Sequence, residues 1–222
     1  MIRPEAAWHA SVVHTERGFD RIVNFSDATV AIAMTLLVLP LVDLGGATGE
    51  HQSLWELLTD SGYEIFAFVL SFLVIWSMWT NHHRIMEFFA DYDSRILGLH
   101  LVWLLTMVSI PFTTELLANP DYYEHGATAL YVAVLLVNSV SLHLLGLQGR
   151  QHLELLHDRP EVTDWLAEPY RWTTVLVLAV ILVVVLIFPG LGAWPMLLLF
   201  VDGLVESRIV QRRKVRGRTT GD

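Results

Sequence analysis

The sequence predicts an all-α integral membrane protein: six transmembrane helices with both termini in the cytoplasm, forming a single domain over residues 1–222. Three observations lead there. Of the 222 residues 54% are hydrophobic and mean hydropathy is +0.49, an excess that a soluble core of this size does not need. The apolar residues gather in six stretches, most of them near the 20 or so residues a helix needs to cross a hydrocarbon core. All 14 Lys and Arg fall in alternate segments between those stretches, and basic residues mark the cytoplasmic side of short loops.

Span one runs from Ile22 to Val42 and takes Ser26 and Asp27 in with it. An Asp at the centre of a membrane helix costs roughly 2.5 to 3.5 kcal/mol on insertion scales, and less near an end, so Asp27 is expected to face protein or water. On a helical wheel Phe25, Ile32, Leu36, Leu39 and Asp43 share one narrow stripe, with Thr29 and Thr35 on its flanks. Ser26 and Asp27 fall on the far side, and Leu37 and Val38 point away from the stripe. Pro40 lies late in the span, where it bends or ends the helix.

Span two, Gly62 to Asn81, runs the opposite way and returns Trp79 and His82 to the level of Asp27. An Asp, Ser and His network with the Trp79 ring alongside is then geometrically open; a solvated Asp and a lone interfacial His are the plain alternative. Span three, Ile96 to Leu117, carries Pro111 within SIPFTT, and a kink is expected there. Span four, Ala127 to Leu147, holds Asn138, Ser139, Ser141 and His143, a polar seam that reads as contact between helices. Spans five and six, Trp172 to Phe188 and Trp194 to Val210, are short; each places Trp at a membrane interface, and PGLGAWP turns between them. The inner connection Gln148 to Arg171 is expected to hold a short interfacial helix through QHLELLHD, before Pro160.

The basic residues are Arg3, Arg17 and Arg21 before span one; Arg84 and Arg95 between two and three; Arg150, Arg159 and Arg171 between four and five; and six at the end of the chain, Arg208 in the last turn of span six and five beyond it. The other connections carry none, which makes six the self-consistent count. Acidic residues Asp43, Glu50, Glu56, Asp60, Glu115, Asp121 and Glu124 lie on the opposite side, either as ordinary loop solubility or as a field that enriches cations. The net charge of −9 therefore hides a dipole across the membrane. The basic tail, residues 207–222, follows a span directly and suits anionic lipid better than nucleic acid. The charged first 20 residues and the length of span one argue for a signal anchor over a cleaved leader.

The chemistry of enzymes finds little support. There is no Cys, hence no disulfide and no thiolate. His82 and His83 are adjacent and diverge by about 100 degrees on a helix, so they cannot share an ion without distortion, and no metal site is read. Gly-x-Ser-x-Gly, a Walker loop and a dinucleotide fingerprint are missing. His100 and His143, near the inner ends of their spans, read as satisfied or snorkelling residues. A Thr-Val-Gly-Tyr-Gly filter is absent too, so any ion pathway is lined by side chains.

Arg21-x-x-x-Phe25-Ser26-Asp27, followed by Ala31-Ile32-x-x-Thr35-Leu36-Leu37-Val38-Leu39, resembles the signature of the transmembrane protein 175 family of potassium channels in its six-span prokaryotic form. The resemblance extends to Ser71-Phe72-Leu73-Val74, to Trp79-x-x-His82 and to Ile110-Pro111-Phe112-Thr113-Thr114. It implies a homotetramer whose four first helices surround the pore, with a constriction of Ile32, Leu36 and Leu39 and a selectivity role for Thr35. It also implies that Arg21, Phe25, Ser26, Asp27, Trp79 and His82 form a network that holds the pore helix. The expected activity is potassium-preferring conduction in the bacterial inner membrane, with no cofactor beyond the permeant potassium ion and with Asp43 concentrating cations at the outer mouth. The alternatives are a proton-coupled transporter, in which Asp27 and His82 titrate as a relay, and a structural membrane scaffold.

Overall fold

The computed structural model describes residues 16–42, 53–119, 126–191 and 194–196. Among these, helix is the only extended regular structure. The helices are α1 (Glu16–Leu36), α2 (Leu54–Asp60), α3 (Gly62–Met86), α4 (Ser94–Ala118), α5 (Ala127–Gln151), α6 (Pro160–Ala167) and α7 (Thr173–Ile187). Four stretches, Gly18–Val42, α3, α4 and α5, are 25 residues each and apolar enough to cross a membrane; α7 is apolar but shorter. These correspond to spans one to five, whereas most of span six, Asp43 and the basic tail lie outside the described residues.

The boundaries follow from local chemistry. The α1 helix stops at Leu36, four residues before Pro40, because Pro40 has no N–H for the Leu36 carbonyl and its ring crowds that position. A turn at Leu37 and Val38 follows, closed by Val38 N–H to the Thr35 carbonyl at 3.3 Å, and helix resumes over 39–42. The turn separates two residues expected to share a fate: Leu37 is buried at 2% exposure, whereas Val38 is 42% exposed.

The α4 helix runs without interruption through Pro111. Its N-terminus is capped by Asp93, whose carboxylate accepts from the Arg95 and Ile96 N–H groups. The inner connection forms its helix after Pro160, not before it: Pro160 occupies the first turn of α6, where a missing N–H leaves no bond unmade. Residues Leu153–Leu155 form only a single 3-10 turn. Arg150 closes the far end of α6, donating to the Trp165, Leu166 and Glu168 carbonyls and lying 4.7 Å from the centre of the Trp165 ring. Tyr170 beside it donates to the His143 carbonyl, and burial pushes its hydroxyl up to about 12.

The core lies between α3, α4 and α5, around Ile75, Trp103, Met107, Tyr131 and Leu135. The α1 helix packs on α3 and α4, and α7 packs on α5. The turn after α3 is pinned to the inner connection by Ala90 N–H to the Leu155 carbonyl and His157 N–H to the Phe88 carbonyl. Gly149 permits that approach, because a Cβ there would stand 2.9 Å from the Phe89 ring.

Candidate functional site

The chain enters α1 with its charged motif and crosses beside α3 and α4, so side chains from three helices meet at one level. Ser26 is fully buried and stands 2.5 Å, Oγ to Nε2, from His100 on α4. His100 Nδ1 lies 3.1 Å from His82 Nε2 on α3. Ser26 has one proton, and its bond of 2.8 Å to the Ile22 carbonyl uses it, since a carbonyl only accepts. His100 then donates Nε2–H to Ser26 and accepts at Nδ1 from His82. The donors run in one direction through two neutral rings, and His82 Nδ1 is left as a buried lone pair without a partner among the described residues. The His82 ring lies flat on Trp103, 3.7 Å between centres and 12° between planes.

A second bolt stands one residue further along α1. Trp79 on α3 donates its indole N–H to Asp27 Oδ1 at 2.8 Å, and the same ring stacks on His83. Successive residues of α1, Ser26 and Asp27, thus reach different neighbours, α4 and α3, as a 100° step between neighbouring side chains requires. Removing one partner from the buried Ser26, His100 and His82 chain strands a buried polar group at about 1–3 kcal/mol each, whereas the Trp79–Asp27 bond is only partly buried.

The structure joins Ser26, Asp27, Trp79 and His82 into one region but does not join Asp27 to His82. Arg21 is exposed, and among the described residues it makes no hydrogen bond or ion pair. Phe25, Ile32, Leu36 and Leu39 are 65%, 60%, 41% and 54% exposed and form the uncovered face of α1. Thr35 is also exposed, its hydroxyl proton given to the Ile32 carbonyl at 2.7 Å. His100, read from sequence as an isolated residue, is the centre of the chain of bonds. Only its level was legible: the short connection 87–93 joins antiparallel helices, so His82 and His100, at similar distances from it, lie level, but nothing in the sequence says which side of α4 faces α1.

Two further polar contacts sit in the core. Tyr131, Ser71 and Thr114 form a chain with bonds of 3.0 and 2.8 Å, linking α5, α3 and α4. Asn138 donates to Thr106 at 2.7 Å, which bears out the reading of its seam as contact between helices.

Fold and site define a helical membrane protein whose first span is bolted to its second by a partly buried and to its third by a buried side-chain hydrogen bond, with an apolar face left bare. Residues 21–111, which hold both bolts and that face, match the family described as endosomal/lysosomal potassium channel TMEM175. A potassium channel of Chamaesiphon minutus is 32% identical over 166 residues, 68% of this chain and 77% of the relative. The chain belongs to the TMEM175 family, one of ion channels and not of enzymes. A potassium channel of Streptomyces collinus is 34% identical over 128 residues, 56% of this chain and 61% of that one. The mouse endosomal/lysosomal proton channel TMEM175 is 25% identical over 57% of this chain, a match that spans 25% of the mouse protein. The crystal structure of a lysosomal potassium-selective channel TMEM175 homolog from Chamaesiphon minutus superposes with a TM-score of 0.63 at 28% identity, covering 85% of this chain and 97% of the other.

Proposed function

We propose that the chain is a potassium-preferring cation channel of the bacterial inner membrane, assembled as a homotetramer with α1 of each subunit lining the pore. One observation carries the reading. The face of α1 that bears Ile32, Leu36 and Leu39 is uncovered in the single chain, while the opposite face is bolted to α3 and α4. Four such faces around an axis give apolar rings of Ile32 and Leu36 about 6 Å apart at 1.5 Å per residue, followed beyond the turn by a ring of Leu39. A bare ion meets a barrier on the order of tens of kcal/mol in an apolar medium, so it crosses only with part of its water, and potassium releases water more readily than sodium. The Thr35 hydroxyl has its proton committed to the helix, which leaves its oxygen lone pairs to face a cation.

In this reading Ser26, Asp27, Trp79 and His82 brace the pore helix and Asp43 raises the cation concentration at the outer mouth. The chain has six spans with both termini in the cytoplasm, one domain over 1–222, and a basic tail over 207–222 that touches anionic lipid; it uses no cofactor. A proton-coupled transporter built on an Asp27 and His82 relay is less well supported, because each is bonded elsewhere, to Trp79 and to His100. Potassium flux from liposomes containing the purified protein tests the channel. Flux that runs down a potassium gradient at constant pH supports it, and flux that occurs only with a proton gradient replaces it with the transporter.

A further inference from the structure

Arg21 stands eleven residues before Ile32 on α1. At 100° per residue that is three turns and about 20°, so Arg21 shares the face of Ile32, roughly 16 Å nearer the N-terminal end at 1.5 Å per residue. Phe25 lies between them on the same face and is 65% exposed. Arg21 is exposed, and no partner among the described residues neutralises it. Its neighbour Asp20 turns into a different cavity of about 550 Å³ between α1, the end of α3 and the inner connection, together with Arg159, His157, His83 and Glu87. Asp27 is engaged by Trp79. Arg21 itself borders an apolar groove of about 490 Å³ between α1 and α4, lined by Phe25, Leu97, His100, Leu101 and Leu104, which contains no acidic group.

We propose that Arg21 is a conduction-determining residue: one guanidinium from each subunit rings the inner mouth of the pore and holds down the entry of cations from the cytoplasm. The inference rests on the proposed pore along α1. A ring of like charge at a narrow, low-dielectric mouth sets up a potential of several kT, which depletes cations on its own side and leaves the far mouth unaffected. Outward potassium current is therefore limited more than inward current, and the limit weakens with salt as the Debye length falls from about 10 Å at 0.1 M to 3 Å at 1 M.

The test is the current–voltage relation of single oriented channels in planar bilayers, in symmetric KCl at 0.1 M and at 1 M. Arg21→Gln is expected to raise outward current about three- to tenfold at 0.1 M and less than twofold at 1 M, with Arg21→Lys restoring the parent rectification. Because the chain has no Cys, Arg21→Cys can be modified in the assembled, conducting channel from the cytoplasmic side. A cationic methanethiosulfonate is expected to restore the limit and an anionic one to relieve it further. Modification of either sign that leaves the current unchanged overturns the inference, as does an Arg21→Gln current equal to the parent at 0.1 M. A Leu36→Ala channel measured alongside separates the two readings. If Leu36→Ala changes conductance and charge at position 21 does not, only the role of Arg21 falls; if neither matters, the pore along α1 falls with it.

Discussion

Leu36 and Leu37 are neighbours of the same chemistry with opposite surroundings, 41% and 2% exposed, and substitutions at them are expected to read out different properties. Leu36→Ala shortens the proposed apolar collar, so conductance rises and potassium preference over sodium declines in bi-ionic recordings, while melting temperature changes little. Leu37→Ala opens a cavity in the packing behind α1 and is expected to lower stability by about 2–4 kcal/mol, seen as a lower midpoint of thermal aggregation in detergent. Thr35→Val keeps the shape of the side chain and removes its oxygen; conduction persists and selectivity declines. If Leu37→Ala altered selectivity with normal stability, the lumen would be lined by a different face of α1.

The α1 helix is held by two bolts made by different chemistry, and their separate loss is measurable. Trp79→Phe keeps the ring beside His83 but removes the indole N–H, leaving Asp27 unpaired. His100→Ala removes the acceptor of His82 and the donor to Ser26 together. A stranded buried group costs about 1–3 kcal/mol, and Asp27 is only partly buried, so His100→Ala is expected to lower the thermal midpoint more than Trp79→Phe, and both are expected to increase the fraction of dissociated subunits on size-exclusion chromatography. Equal and negligible effects would show that packing alone holds α1. The Pro40 break belongs to this scale as well. Pro40→Ala restores an N–H to the Leu36 carbonyl, so α1 is expected to continue through Leu37 and Val38, with helix content rising by circular dichroism and conductance changing as Leu39 rotates.

For the whole molecule the sequence makes a topological claim that its charges alone support. Single cysteines at Glu50, Asp121 and Gly192, in a chain without native Cys, are expected to react with an impermeant maleimide only from outside, and the detergent-free particle is expected to have four times the subunit mass. Labelling from the cytoplasmic side, or a dimer by native mass spectrometry, would replace the six-span tetramer.

Much of the architecture was open to reading because the membrane simplifies the problem: a span must satisfy its backbone internally, so apolar length by itself nearly dictates a helix. Asp27 and Trp79 were legible for a related reason, as a carboxylate at that depth needs a partner and the return of span two brings one. His100 was not, because its role depends on which side of α4 faces α1, and an evenly apolar helix carries no stripe to tell. The same limit applies to Arg21, which the motif places in a network and which makes no hydrogen bond or ion pair among the described residues. The order of residues thus determined the spans, the paired Asp27 and the bare stripe of α1, since hydropathy and helical period are local properties. Only the tertiary structure decided which nitrogen of which histidine meets Ser26 and which charges remain unpaired, since those depend on the rotation of one helix against another.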